Sequence, residues 1–326
     1  MRVAAPGGEG EGKEREQRGA CGRSHADSLP SPTGVRRSVY SGEVQIVGRF
    51  RLGALIGEGG TALVYGAEDA AGLKVAVKIL RPELRHDAAM GERMRREAEA
   101  LGRIACPHVL ALVEAGEDSV VGPYVATVRI AAPRLSEVLA SEPDGLDPDR
   151  ACRIVAQVLD GLAALHDHGV VHRDVKPDNV FIETRGDAEH ALLFDLGAGA
   201  FAGGDPLTAA HRVMGSPFYA SPERIAGAPA DARSDVWAAG VLLYVCLTGT
   251  EPFAGAGLKE RLAAICDAPP TPLAAVSRGV PAEVAAVVAV ALEKAPAARF
   301  SDARTMAAAL RRAVPGPDRG GACQNA

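Results

Sequence analysis

Val171-His172-Arg173-Asp174-Val175-Lys176-Pro177-Asp178-Asn179 is the stretch on which the reading of this chain turns. Asp174 supplies a carboxylate that can accept a hydroxyl proton. Lys176, two residues on, can sit against a phosphate in transfer, and Asn179, five residues on, offers an amide oxygen to a metal. Pro177 fixes φ between them and keeps the segment out of helix. Such a loop has little covalent chemistry to perform; it positions groups and neutralises developing charge, as phosphoryl transfer requires. A His-Arg-Asp triplet alone is a common polar turn, whereas the longer pattern with Lys176 and Asn179 in register is far rarer.

Composition narrows the alternatives. The chain has 326 residues, enough for two domains, with 47% hydrophobic and 24% charged residues, ordinary values for a globular protein. A net charge of -5 argues against binding driven by nucleic-acid phosphates, and 4% aromatics against a base-stacking surface. The cysteines Cys21, Cys106, Cys152, Cys246, Cys266 and Cys323 form no C-x-x-C pair, so neither a zinc site nor a disulfide framework is expected, and reduced cytoplasmic thiols are the default. No apolar run reaches the length of a membrane span, and no apolar region follows Arg2 as in a signal peptide. Cys323-Gln324-Asn325-Ala326 fits a prenylation box only formally, because its middle residues are polar.

Residues 1–43, rich in Gly, Glu, Arg, Ser and Pro, read as a disordered tail, with Arg36-Arg37-Ser38 a solvated charge run or a basophilic phosphorylation site. From Phe50 the pattern predicts strands at Phe50–Ile56, Leu63–Glu68, Leu73–Leu80, Leu110–Glu117 and Val120–Val128, with a helix from Asp87 to Ile104. This is a five-stranded antiparallel sheet with one helix, a small first lobe at about 50–129. After a connector at Ile130–Pro133 the chain turns helical, a second lobe at about 134–314. Asp147 is an expected N-cap with Pro148 behind it, and Ile154, Val155, Val158, Leu159, Leu162 and Leu165 recur at helical spacing. A short hairpin follows the opening loop at Val180–Ile182 and Ala191–Phe194. Val236–Leu247, apolar on nearly all sides, predicts a buried central helix, and three more helices are expected near Leu258–Cys266, Ala282–Leu292 and Asp302–Val314. The last dozen residues, 315–326, read as a frayed tail.

Several further motifs carry chemistry. Gly57-Glu58-Gly59-Gly60-Thr61-Ala62-Leu63-Val64 lies at the turn of the first hairpin, where glycines let backbone amides approach phosphates; alone it is also a plain hairpin tip. Its strand–turn–strand setting excludes a dinucleotide-binding unit, which needs a helix after the glycines. Val75-Ala76-Val77-Lys78 puts Lys78 and Ala76 on one face of the third strand. Asp195-Leu196-Gly197 follows the second-lobe hairpin, sixteen residues after Asn179. Ser221-Pro222-Glu223, Ser234-Asp235-Val236-Trp237-Ala238-Ala239-Gly240 and Arg299 complete the set; each singly is a helix cap or a surface pair.

In this order and spacing the motifs resemble those of the protein kinase family, over about Phe50 to Val314. The resemblance implies an α+β, two-lobed fold with the domain at 44–314. It implies that Ile56, Gly57, Glu58, Gly59, Gly60, Thr61, Ala62, Leu63, Val64 and Ala76 line a nucleotide, and that Lys78 holds the α/β-phosphates and pairs with Glu97. Glu92 and Glu99 are rivals on the same helix, but Arg96-Glu97-Ala98 fits the family register best. Thr127 would be the gatekeeper, with Val128 and Ile130 holding adenine through backbone groups. Asp174, Lys176 and Asn179 would be catalytic, and Asp195 with Asn179 would hold Mg²⁺ beside ATP. Glu223 would pair with Arg299, and Asp235 would brace the catalytic loop. The sequence departs from the family at Ala62, in place of a third glycine, at Leu196, in place of Phe, and at Val128-Arg129, where Glu-Tyr is frequent.

Lys176, with Gly215-Ser216-Pro217, is similar to the Ser/Thr-specific branch, and the compact layout to bacterial members. The implied partners are proteins bearing Ser or Thr, with no nucleic acid and no membrane span; a homodimer for trans-autophosphorylation is compatible with the sequence. Arg173 beside Asp174 is the mark of members whose activation segment is ordered by phosphorylation, and Thr208 is the expected site. A pseudokinase scaffold, weighed on Ala62 and Leu196, and a small-molecule kinase are the alternatives. Lys176 and Ser221-Pro222-Glu223 speak against the latter.

Overall fold

The computed structural model of the chain describes residues 46–196, 217–277 and 279–314. Its first part is an antiparallel sheet of β1 (Ile46–Val47), β2 (Phe50–Glu58), β3 (Ala62–Glu68), β4 (Lys74–Leu80), β5 (Leu112–Asp118) and β6 (Gly122–Val128), in the order β1-β2-β3-β4-β6-β5. Alternation decides the faces: Val75, Val77 and Ile79 are buried in one cluster with Phe50, Leu63 and Tyr65, and Ala76 and Lys78 face the other way, half-buried. Helix α1 (Ala88–Gly102) packs against β5 and β6. Asp87 opens it by accepting from Ala89 N and Met90 N at 2.9 and 3.2 Å. Its buried stripe is Met94, Glu97, Ala98 and Leu101, the spacing of one helical face with a carboxylate set into it.

Two details of this part differ from expectation. The sheet gains β1, a two-residue edge pairing of Ile46 with Arg51 and Val47 with Phe50, too short to leave a periodic signal. The β5–β6 turn lies at 119–121, beyond Asp118 and later than the strand bounds Leu110–Glu117 and Val120–Val128 imply. Asp118 Oδ1 accepts from Val120 N and Val121 N at 2.8 and 3.1 Å, and Gly122 takes φ +77°, so the tight turn forms there.

The second part is helical: α2 (Leu135–Ser141), α3 (Pro148–Asp167), α4 (Pro222–Ile225), α5 (Ala232–Thr248), α6 (Leu258–Asp267), α7 (Leu273–Val276), α8 (Ala282–Ala291) and α9 (Ala303–Ala313). A hairpin of β7 (Val180–Arg185) and β8 (Ala188–Leu193) lies beside α3. Asp147 caps α3 through Asp149 N and Arg150 N, and Gly169 just past its end has φ +71°. Every residue of α5 from Ser234 to Thr248 is buried, as its all-round apolar sequence requires. α5 begins before Val236 because Asp231 and Ser234 form a reciprocal cap. It ends at Gly249, φ +66°, where an added Cβ would fall 1.9 Å from the Pro143 carbonyl oxygen. The short α2, α4 and α7 were not singled out in sequence.

No described helix is long and apolar enough to cross a membrane. The expectations for the two tails, for Gly197, and for Thr208, Gly215 and Ser216 lie outside the described residues.

Candidate active site

Lys78 is where the two parts meet. Its Nζ donates to Glu97 Oε1 and Oε2 at 2.9 and 3.1 Å and to Asp195 Oδ1 at 2.8 Å. Strand β4, helix α1 and the segment after β8 thus converge on one ammonium. Burial opposes the Lys78 charge, but Asp195 and Glu97 outweigh it and its pKa is raised. The Lys78 charge in turn holds the Asp195 carboxyl below its usual range, while burial pushes that of Glu97 up. Among the three acidic residues proposed as partners of Lys78, the structure selects Glu97; Glu92 pairs with Arg96 at 2.9 Å and Glu99 approaches Arg103 at 4.0 Å.

The opening loop forms a second constellation. Lys176 Nζ donates to Asp174 Oδ2 at 2.6 Å, and Asn179 Nδ2 donates to Asp174 O and Oδ2 at 2.8 and 2.9 Å. Both side-chain bonds thus fall on one carboxylate oxygen, Oδ2. Pro177–Asn179 form a short 3₁₀ turn, and Phe194 N donates to Asn179 O at 3.0 Å, which ties this loop to the residue before Asp195.

Asp235 of α5, 1% exposed, fixes the loop from below. Its Oδ2 accepts from His172 N at 2.8 Å and its Oδ1 from Arg173 N at 2.8 Å, and His166 Nε2 lies 2.8 Å from Oδ2. These bonds hold Arg173 at φ +67°, and Asp195 stands at φ +57°. Both are left-handed conformations that cost a non-glycine residue about 1 kcal/mol or more and need surrounding structure to persist.

The Gly-rich turn joins β2 to β3. Gly59 N donates to Ala62 O at 2.9 Å, and Ala62 is buried, pairing with Leu80. Arg81, directly after β4, donates to Gly59 O at 2.7 Å and to Glu58 Oε1 at 2.8 Å. Thr127 lies on β6 opposite Ala76 of β4 and Leu112 of β5. Val128 N donates to Ala111 O at 3.2 Å, and Ile56 and Val128 are exposed at the rims of the two strands. Leu196 is buried within the cluster that includes Met94, Ala98 and Leu101 of α1, so an aliphatic side chain fills the site without a ring.

Glu223 and Arg299 form a bidentate pair at 2.8 and 2.7 Å, with Ser234 Oγ donating to the same carboxylate at 3.0 Å. Arg299 also donates to the Glu293, Lys294 and Arg233 carbonyls, so the buried guanidinium is fully engaged.

The residues suit a hard divalent cation: Asp195 offers a carboxylate held deprotonated and Asn179 an amide oxygen, few ligands of the kind Mg²⁺ takes alongside phosphates. Sequence reasoning missed Arg81, His166 and the aromatic pair Phe181–Phe194. Arg81 and His166 lie outside any spacing rule, whereas Phe181, two residues past Asn179 on a strand, could have been found by alternation.

Comparison with known proteins agrees with this geometry. The protein kinase domain family matches residues 50–311. A probable serine/threonine-protein kinase of Corynebacterium efficiens is 36% identical over 273 residues, 81% of this chain and 41% of its own length. The serine/threonine-protein kinase PksC of Streptomyces coelicolor is 36% identical over 275 residues, 82% of this chain and 49% of its own. This chain thus spans less than half the length of these relatives. Among solved structures, the PknI kinase domain of Mycobacterium tuberculosis aligns with a TM-score of 0.64 at 26% identity, covering 83% of this chain and 98% of that one. With the family matched across sheet, catalytic loop and helices alike, the chain belongs to the protein kinase family, and its relatives are bacterial serine/threonine kinases.

Proposed function

We propose that this chain transfers the γ-phosphate of MgATP to the hydroxyl of a protein Ser or Thr. The observation that carries the proposal is Lys78 bonded at once to Glu97 and Asp195, an arrangement suited to gripping a triphosphate between two lobes. The Gly-rich turn from Gly57 to Val64 covers the phosphates, and the backbone of Val128 and Ile130 holds adenine behind Thr127. Asp195 and Asn179 would hold magnesium, which would supply charge neutralisation on the phosphates. Asp174 orients the substrate hydroxyl and takes its proton as the oxygen bonds to the γ-phosphorus and the bond to the β-phosphate oxygen breaks, leaving ADP. Lys176, at 2.6 Å from Asp174, donates to the phosphoryl group in flight. The catalytic domain is taken to span 44–314. Incubation with γ-³²P-ATP and a Ser/Thr-rich protein tests the proposal: label appears with the native chain and not with Asp174→Ala, and equal labelling by both would refute it.

We also propose phosphorylation of the segment between Asp195 and Glu223, at Thr208. Arg173 is supported here by two further guanidiniums: Arg224, which donates to Arg173 O at 2.5 Å, and Arg93 of α1. Burial, then repulsion from Arg224 and Arg93, outweighs attraction to Asp235 and lowers the Arg173 pKa, and a phosphate brought near these guanidiniums would find charge-assisted donors. Transfer between two copies of the chain is the route this requires if Thr208 cannot reach its own Asp174. Mass spectrometry of active protein should find phosphate on Thr208; active protein unmodified there removes the idea. The buried thiols Cys106, Cys152 and Cys246 suit a reducing, cytoplasmic setting.

A further inference from the structure

Two rings and one guanidinium beside the catalytic loop take no part in the chemistry above. Phe181 on β7 and Phe194 just after β8 stack, with centroids 4.1 Å apart and planes 17° from parallel. Phe181 follows Asn179 by two residues and Phe194 immediately precedes Asp195, so both rings are borne by segments that also carry the candidate metal ligands. Arg134 stands at the N-terminus of α2, four residues beyond Ile130, and its backbone forms an antiparallel bridge with Phe181. Its guanidinium lies over the Phe194 ring, Cζ 5.6 Å from the centroid. Among the described residues no carboxylate pairs with this guanidinium; Glu137 accepts instead from the Arg134 backbone N–H at 2.9 Å.

A guanidinium resting on an aromatic face keeps its planar fork of N–H donors directed outward, preorganised for an anion. Its place along the cleft says which anion. Ile130 lies on the side proposed for adenine, and Asn179 and Asp195 on the side proposed for the phosphates. Arg134 is tied to both, four residues beyond Ile130 in the chain and over the ring that precedes Asp195, which puts it beside the sugar of a nucleotide bound as proposed. A neutral ribose offers a guanidinium only hydroxyl acceptors, whereas a phosphate on the sugar offers charge-assisted, bidentate bonds.

We propose that Arg134, held by the Phe181–Phe194 pair, forms a subsite for adenine nucleotides bearing a phosphate on the ribose 2′ or 3′ oxygen, which occupy the cleft as competitors of ATP. The inference rests on the nucleotide reading given under Proposed function. Titration calorimetry with AMP, ADP, adenosine 2′,5′-bisphosphate and adenosine 3′,5′-bisphosphate tests it, on the native chain and on Arg134→Ala. At least one bisphosphate should bind the native chain about tenfold or more tightly than AMP, as one charge-assisted bidentate contact allows. In Arg134→Ala that gap should shrink to within about twofold, and Arg134→Lys should restore it only in part, since a lysine cannot form the fork. ADP binding to the native chain separates the two failures. If ADP does not bind, the nucleotide reading falls and this one with it. If ADP binds but neither bisphosphate exceeds AMP, or the gap survives Arg134→Ala, the subsite alone is refuted.

Discussion

Lys78 and Asp195, 117 residues apart in the chain, are joined by a 2.8 Å ion pair, and the same ammonium holds Glu97 at 2.9 Å. One side chain therefore reports the position of a strand, a helix and the segment that follows β8. Lys78→Met removes both bonds and leaves Glu97 buried with no cation beside it. Phosphate incorporation from γ-³²P-ATP should fall by about 100-fold or more, the cost of losing one preorganised donor at a charged transition state. Incorporation within threefold of native would show that the bridge is structural.

Asp174 is positioned by Lys176 and Asn179 on one oxygen, and in the proposed reaction the carboxylate serves the acceptor hydroxyl. Asp174→Ala should lower kcat by roughly 10²–10⁴ while the KM for ATP changes only a few-fold, since the residue acts on the alcohol and not on the nucleotide. Steady-state kinetics with both substrates varied would reveal the opposite pattern, a raised KM for ATP with kcat intact, if Asp174 served the nucleotide instead.

Glu223 has its pKa lowered to about 2: burial raises it, and the bidentate bonds and charge of Arg299 overcome burial. A carboxyl depressed in the folded state contributes stability that is present above its unfolded pKa, near 4.5, and is lost as pH falls through about 2. The shift corresponds to up to about 3 kcal/mol. Glu223→Gln should thus unfold at lower denaturant concentration than native at pH 7, and the difference should narrow as pH falls from 4.5 toward 2. A difference independent of pH across that window would assign the loss to packing.

Thr127 stands between Ala76 and Leu112 in the sheet register, half-buried at the back of the cleft. A small residue there admits a bulky group behind adenine. Thr127→Met should weaken ATP-competitive inhibitors carrying such a group by about tenfold or more, as adding side-chain volume to an apolar pocket does, and leave compact ones within about threefold. Equal inhibition of both proteins by the bulky compounds would place the back wall elsewhere.

Much of this site was legible because its groups sit at fixed offsets within short segments: Asp174, Lys176 and Asn179 share one loop, and Lys78 follows the alternation of β4. Glu97 was legible through the family register of Arg96-Glu97-Ala98, while its burial beside Met94, Ala98 and Leu101 emerged only in the structure. What the sequence concealed depends on tertiary approach. Arg81 reaches across to Gly59 from a neighbouring strand, and β1 pairs over only two residues. The β5–β6 turn falls later than the strand pattern implies because Asp118 and Gly122 supply the turn chemistry.

Asp235 sits in the middle of the C-lobe interior yet its two oxygens carry the backbone of His172 and Arg173. Heat that loosens α5 would release the neighbouring proton acceptor at the same moment. Loss of turnover and melting of the helical part should therefore trace a single curve, with no temperature at which that part is intact but idle.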